Sequence, residues 1–257
     1  SSLHEVSLHS DDEGGYSVKK ANGRSILFAV IIAMVLLLSK KANASRLYPW
    51  IDDSGTKIEL HVGEKVVASV PKEKADIVLS CLKKLERIFG QSRKCYNYYI
   101  KKCDNGTFVI SHGNQEDILM ITPDLARFHK STPMILAGLW LTNIYEAHYG
   151  SCDVDKEGDP DDVIATWYGG PRWNGNRMAN GEIFYDWQLT AACNDVPLNS
   201  MVRLLNPRNR KTVIVKVTDR CGKDGMVDMS KLAADLLDVT RRGISKVKME
   251  ILYAPNN

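Results

Sequence analysis

The chain has 257 residues, 44% of them apolar, which is enough to bury a core for one large or two small domains. Its 34 basic and 31 acidic residues leave a net charge of only +3. With no long basic run, that balance excludes the clustered patch a nucleic-acid binder requires.

Residues 1–45 form an N-terminal segment. Residues 1–24 are polar and read as disordered or removed. Residues 26–38 are an uninterrupted apolar run, shorter than the ~20 residues of a spanning helix. Lys19, Lys20 and Arg24 precede it and Ala42-Asn43-Ala44 follows it, the layout of a secretory signal. Asp11, Asp12 and Glu13 before the run, and Lys40-Lys41 after it, keep an uncleaved membrane anchor as the alternative. Both readings export the rest of the chain to the periplasm, envelope or exterior, with membrane contact only through this segment.

Residues 46–150 read as a small α+β module. Ile58, Leu60 and Val62 alternate, as do Val66, Ala68 and Val70, around Gly63-Glu64, which is a hairpin pattern. Residues 72–89 carry apolar side chains at helical spacing, with Gly90 as the expected stop. Strands are expected at 96–100, 107–111 and 118–121, with Asp104-Asn105-Gly106 as a turn. Asn105-Gly106-Thr107 also fits a glycosylation sequon, though the turn chemistry explains it. Thr132-Pro133 pairs a capping hydroxyl with proline at the first helical position and opens a mostly apolar helix to about His148. His61, His112, His129 and His148 lack metal-ligand spacing, so no metal and no cofactor are expected.

Residues 151–162 are an acidic, Gly- and Pro-containing linker. Asp153, Asp155 and Glu157 imitate the start of a calcium loop, but its twelfth position is Ile164, which offers no carboxylate.

Residues 163–254 carry the chemistry. Strands are expected at 163–167, 189–192, 201–205, 212–217 and 247–252, and Ser230 is placed to cap a helix to about Leu237. Arg208-Asn209-Arg210-Lys211 reads as a solvated hairpin turn. Short strands with one or two helices suit a small closed barrel. Two acids, Glu182 and Asp219, lie among aromatic and glycine-rich segments, the composition of a carbohydrate groove. Tyr168 and Trp173 flank Gly169-Gly170-Pro171 and are candidate sugar-stacking faces, whereas Trp167 and Trp187 are expected to pack inward. Arg177 and Arg220 (with Arg172) are candidates for acidic groups of a ligand.

Five segments occur here in a fixed order: Ala165-Thr166-Trp167-Tyr168-Gly169, Met178-Ala179-Asn180-Gly181-Glu182, Leu189-Thr190-Ala191-Ala192-Cys193, Val217-Thr218-Asp219-Arg220-Cys221 and Val227-Asp228-Met229-Ser230. Together they resemble the rare lipoprotein A (RlpA) family of peptidoglycan lytic transglycosylases. The resemblance implies a mainly-β, six-stranded double-psi β-barrel after the α+β module. It also implies a peptidoglycan or related cell-wall glycan as substrate, with Asp219 as the single acid/base and Glu182 as a substrate-binding or supporting group. Cys193 stands where the family has His, Tyr185-Asp186 where it has an Asp, and Cys221 where it has Gly. Barwin and the expansins, which share the barrel, carry cysteines at the two cysteine positions, joined as a disulfide; that likeness implies a Cys193–Cys221 bridge. It also keeps open a non-catalytic, glycan-binding or wall-loosening barrel, or an inhibitor or signalling protein of barwin type. Cys81 is expected as a small buried hydrophobe, and Cys95 and Cys103, if on one extended segment, are too far apart to bond.

Overall fold

The computed structural model describes residues 8–10, 16–18, 48–91, 97–150 and 161–255. The apolar run 26–38, Ala42-Asn43-Ala44, Cys95, Cys152 and most of the acidic linker therefore lie outside the described residues. Among the described residues, no helix is long and apolar enough to cross a membrane. Near the N-terminus β1 (Leu8–Ser10) pairs antiparallel with β2 (Tyr16–Val18), inside the stretch expected to be disordered or removed. Strands of three residues are too short to show a period of two.

A three-stranded antiparallel sheet follows, made of β3 (Pro49–Asp53), β4 (Lys57–Val62) and β5 (Lys65–Pro71). The β4–β5 hairpin turns at Gly63, whose φ of 59° is open to glycine. β3 was not expected, because its proline and paired aspartates hide an edge strand. A 3-10 turn (Lys72–Lys74) leads into α1 (Ala75–Gln91). Val78, Cys81, Leu82, Leu85 and Ile88 are buried along one stripe of α1. Gly90 does not stop this helix; it lies inside it and lacks the positive φ of a terminating glycine.

The second sheet contains β6 (Tyr98–Lys102), β7 (Phe108–His112) and β8 (Glu116–Ile121). At its first turn the Thr107 amide donates to Asn105 Oδ1 at 3.0 Å. Two helices then start in the same way: α2 (Pro123–Phe128) and α3 (Pro133–Tyr149) each have proline near the start and a threonine hydroxyl accepting an amide bond at 3.3 Å. Only α3 was expected, because α2 is too short to show helical periodicity. α3 is buried on nearly all sides, since it packs against β5 and β7 as well as the C-terminal barrel.

The barrel comprises β9 (Asp161–Tyr168), β10 (Thr190–Cys193), β11 (Met201–Leu205), β12 (Thr212–Asp219), β13 (Met226–Ser230) and β14 (Ser245–Tyr253), with α4 (Lys231–Leu237) after β13. It closes in the order β10-β12-β11-β14-β9-β13. β10–β12 and β9–β13 are parallel and the other pairs antiparallel, giving the double-psi arrangement. The first strand starts at Asp161, inside the expected linker. The expected hairpin turn 208–211 links β11 to β12 and is exposed. β13 was missed as a strand; its Val227 and Met229 fill the barrel interior with no exposure. Ser230 does not cap α4 with its side chain, because its hydroxyl donates to the Gln188 carbonyl at 2.6 Å.

One hydrophobic cluster runs from Ile51 to Met249 and joins the α+β part to the barrel. α3 and α4 approach so closely that a Cβ on Gly138 would sit 2.9 Å from Leu236 Cδ1 and 3.0 Å from Leu232 Cδ1. Polar contacts add register. The Gln188 side chain accepts from the Ile100 amide at 3.0 Å and donates to the Ile100 carbonyl at 2.5 Å. Glu146 on α3 accepts from the Thr212 hydroxyl at 2.5 Å and pairs with Lys65. Arg203, 2% exposed, pairs with Glu250 at 2.5 Å and donates to the Gly150 carbonyl. The barrel and the first half of the chain are thereby held in fixed relation.

Candidate active site

The two expected acids are linked by one turn of chain. Residues 177–183 fold back on themselves through an Arg177–Ile183 bridge, a Met178 amide bond to the Glu182 carbonyl (2.8 Å) and Gly181 at φ 90°. The Asn180 amide ties this hairpin to the Thr218 carbonyl at 3.0 Å. Asp219 Oδ1 accepts from the Ala179 amide at 3.1 Å and from the Arg220 amide at 2.9 Å. Glu182 instead forms an ion pair with Lys216, three residues earlier on β12. Both acids thus hold the hairpin to β12, but they face different surroundings.

Glu182 and Lys216 line a cleft of about 440 Å³ together with Tyr185 and Gln188 of the barrel and Asn97 and Tyr99 of the first half of the chain. Asp219, Tyr168 and Trp173 are not among its lining residues. Asp219 belongs to a row across the outer face of the barrel. A register shift between Ala191 and Ala192 skips Thr218, so that Ala192 faces Asp219 across β10–β12. Thr218 is fully buried and its hydroxyl contacts Met178 Sδ at 3.0 Å. On the other side, Ala192 faces Asp228 of β13, which faces Thr166 of β9. Side chains directly opposite across a sheet share a face, so Asp219, Asp228 and Thr166 project the same way.

Asp228 was not singled out by sequence, although the alternation Val227-Asp228-Met229 carries the signal: two inward apolar residues turn the acid between them outward. Burial pushes its carboxyl pKa up, while a 2.7 Å bond from the Thr166 hydroxyl pulls the other way. The Tyr168 phenol is also pushed up, chiefly by burial and then by the charges of Asp219 and Asp228, so it keeps its proton.

Several expected roles change. Tyr168 is not an open stacking face: its ring stacks on Phe184 at 4.5 Å, and its hydroxyl is buried with no hydrogen-bond partner among the described residues. Trp173 is 37% exposed and meets Tyr168 edge-on at 5.7 Å, with the Arg172 guanidinium 4.8 Å over its ring. Arg177 donates to the Gly181 carbonyl at 3.1 Å, bracing its own hairpin. Arg220 donates through one nitrogen to the carbonyls of Cys193 (2.5 Å) and Val196 (3.0 Å), which makes it a clamp between loops. Asp186 accepts from the Gly170 amide at 3.1 Å, and a Cβ on Gly169 would lie 3.1 Å from the Cβ atoms of Asp186 and Lys231. Trp167 and Trp187 pack partly buried against the core, as expected.

The Cys193–Cys221 bridge is absent; both are free thiols. Cys193 Sγ lies 4.0 Å from Asp195 Oδ2, and the Cys221 thiol donates to the Lys223 carbonyl at 3.0 Å. The two segments are joined instead by Asn194, whose side chain accepts from the Cys221 amide (3.1 Å) and donates to the Cys221 carbonyl (3.0 Å). Burial raises the Cys193 pKa, so the thiol stays protonated.

Away from the barrel, Asp52, Glu59 and His61 bring one ligand atom each to within 4.8 Å of one another. Lys57 pairs with Glu59 at 2.5 Å and Trp50 stacks on His61 at 4.1 Å, while both His61 ring nitrogens are buried without a hydrogen-bond partner among the described residues.

The closed barrel with its two parallel crossings is a double-psi β-barrel, and Asp219 and Asp228 share its outer face. Residues 161–249 match the family described as lytic transglycolase. Over about a third of its length the chain is similar to proteins named endolytic peptidoglycan transglycosylase RlpA. That of Rickettsia bellii is 39% identical over 94 residues, 35% of this chain and 41% of that protein. The protein of Rickettsia felis is 42% identical over 96 residues, 36% and 41% of the two chains. The Helicobacter pylori protein is 33% identical over 97 residues, 37% and 30%. The matched part therefore spans 41% or less of these relatives. Among solved structures, a Streptomyces papain inhibitor aligns over 37% of this chain and 96% of its own at 20% identity and TM-score 0.31. A Clavibacter michiganensis expansin aligns over 37% and 52% at 21% identity and TM-score 0.30. The barrel resembles the RlpA family, as the five sequence segments implied.

Proposed function

We propose that the barrel cleaves the glycan backbone of peptidoglycan as a lytic transglycosylase, in an exported protein. The observation that carries this reading is the row Asp219–Ala192–Asp228, whose charges act on the protonated Tyr168 phenol. It stands on a barrel whose sequence matches the lytic transglycolase family. In the proposed step a carboxylic acid gives its proton to the glycosidic oxygen as the C–O bond breaks. A hydroxyl of the same sugar then closes on the anomeric carbon, and its proton passes to the carboxylate. The acid is restored, no water is consumed, and the product carries an anhydro end. Asp219 is the acid/base of this scheme, because only its Oδ1 is engaged, by the amides of Ala179 and Arg220. Asp228 adds a second carboxyl that retains its proton to higher pH than an ordinary aspartate. Glu182, paired with Lys216 in the neighbouring cleft, is a substrate-holding group.

The second reading is a barrel that binds cell-wall glycan without cutting it. Cys193 favours it, since a buried thiol with a raised pKa does not exchange protons near neutrality. Digestion of purified peptidoglycan by the full chain, with mass spectrometry of the soluble products, decides between the two. Anhydro-ended fragments that disappear with Asp219→Asn support cleavage. Wall binding without fragments, equal in both proteins, leaves the binding reading.

A further inference from the structure

We infer that the first half of the chain completes a saccharide-binding cleft beside the barrel, so that the glycan strand is held between the two parts of the molecule. This rests on the barrel acting on glycan as proposed above. The cleft that contains Glu182 adjoins a second recess of about 750 Å³, the two sharing Tyr99, Tyr185 and Gln188 as lining residues. On the barrel side the recess is lined by Tyr185 and Trp187, whose rings stack on each other at 4.6 Å with 17° between their planes. Lys102 of β6 lies 5.3 Å over the Trp187 ring, and Tyr99 stands on the opposite wall. Flat aromatic faces receive the C–H faces of sugar rings, while amides and charges receive their hydroxyls. Asn97, Asn114 and the Glu182–Lys216 pair supply those polar groups along the same path.

The walls are fixed before any ligand arrives. Gln188 forms part of both recesses and holds Ile100 of β6 through two backbone bonds. The wall bearing Tyr99 therefore cannot drift from the wall bearing Tyr185. A preorganised cleft loses little on binding, which is the condition for gripping a flexible polysaccharide.

The test is binding of chito-oligosaccharides of increasing length to the full chain, followed by intrinsic tryptophan fluorescence and calorimetry. Affinity should rise with length in the unaltered protein and fall about tenfold for the longer oligomers in Trp187→Ala and Tyr99→Ala. Asn114→Trp fills the cleft from an exposed turn, without touching the core, and should weaken long oligomers equally. Length-dependent binding that all three variants leave unchanged overturns the cleft while the glycan reading of the barrel stands. No binding by the unaltered protein, together with no retention on peptidoglycan, overturns both.

Discussion

Asp219 and Asp228 stand on opposite sides of Ala192, one at the end of β12 and one in the middle of β13, and both project from the same face of the barrel. The register shift at Ala191–Ala192 produces this: without it Thr218 would face Ala192 and Asp219 would turn toward the interior. The relationship separates the two acids by environment. Asp219 accepts two backbone amides, whereas Asp228 is half-buried beside Thr166.

Asp219→Asn should separate chemistry from structure. The asparagine carbonyl oxygen can still accept from the Ala179 and Arg220 amides, so melting should change little. Loss of the exchangeable proton should lower glycan cleavage by about 10²- to 10⁴-fold. Thermal melting alongside product analysis checks both halves; a large drop in melting temperature would assign Asp219 a structural role.

Asp228 should leave a mark on pH dependence. Its folded pKa lies above the unfolded value, so the folded state binds more protons in the window between them. Its favourable contribution is complete below the unfolded pKa and is lost as pH rises through the folded one. Asp228→Asn removes that loss. Compared with the unaltered protein, the variant should gain stability as pH rises from about 4 to 7, with the difference vanishing at the acid end. Denaturant titrations across that range measure it, and parallel stability curves would contradict the burial of Asp228.

Gln188→Ala should loosen the barrel from the first half of the chain. It strips both bonds from the backbone of Ile100, a residue 1% exposed. Unsatisfied buried groups of this kind cost about 1–3 kcal/mol. The expected outcome is a lower urea midpoint and faster limited proteolysis between residues 150 and 161. Gln188→Glu, which keeps the acceptor alone, should be intermediate or worse.

Alkylation of the native protein should sort the described cysteines. Cys103 and Cys221 are partly exposed and should react. Cys81 is fully buried with its pKa pushed up to about 12, and Cys193 is buried with a raised pKa, so both should react only after unfolding. Mass spectrometry of labelled peptides reads this directly. Protection of Cys221 that is lifted only by a reductant would instead show a disulfide.

Where a side chain's role depends on its own segment, the sequence was readable. Gly63 turns the β4–β5 hairpin, Thr132-Pro133 opens α3, and the apolar stripe of α1 is spaced at helical period. Where the local pattern was broken or short, it was not: the proline and aspartates of β3, the acid within β13 and the six-residue length of α2 hid them, although Thr122-Pro123 repeats the Thr132-Pro133 signature. Tyr168 and Arg220 have partners that no local pattern shows. A tyrosine beside a glycine loop looks exposed until Phe184, sixteen residues on, covers its ring, and an arginine beside an acid looks available until two carbonyls from another loop take its nitrogen.

By itself the sequence determined the order of the two parts, the presence of Glu182 and Asp219 among aromatic and glycine-rich segments, and the likeness of the second part to the lytic transglycolase family, because these depend on residue type and spacing along one chain. Only the tertiary structure decided that Asp228 joins Asp219 across Ala192, that Asn194 ties the Cys193 and Cys221 segments together, and that Gln188 and Gly138 lock the barrel against the first half of the chain. Each of these depends on strand register and helix approach between distant segments. A shift of one residue turns a strand's side chains to the other face, and no local pattern encodes the partner across the gap.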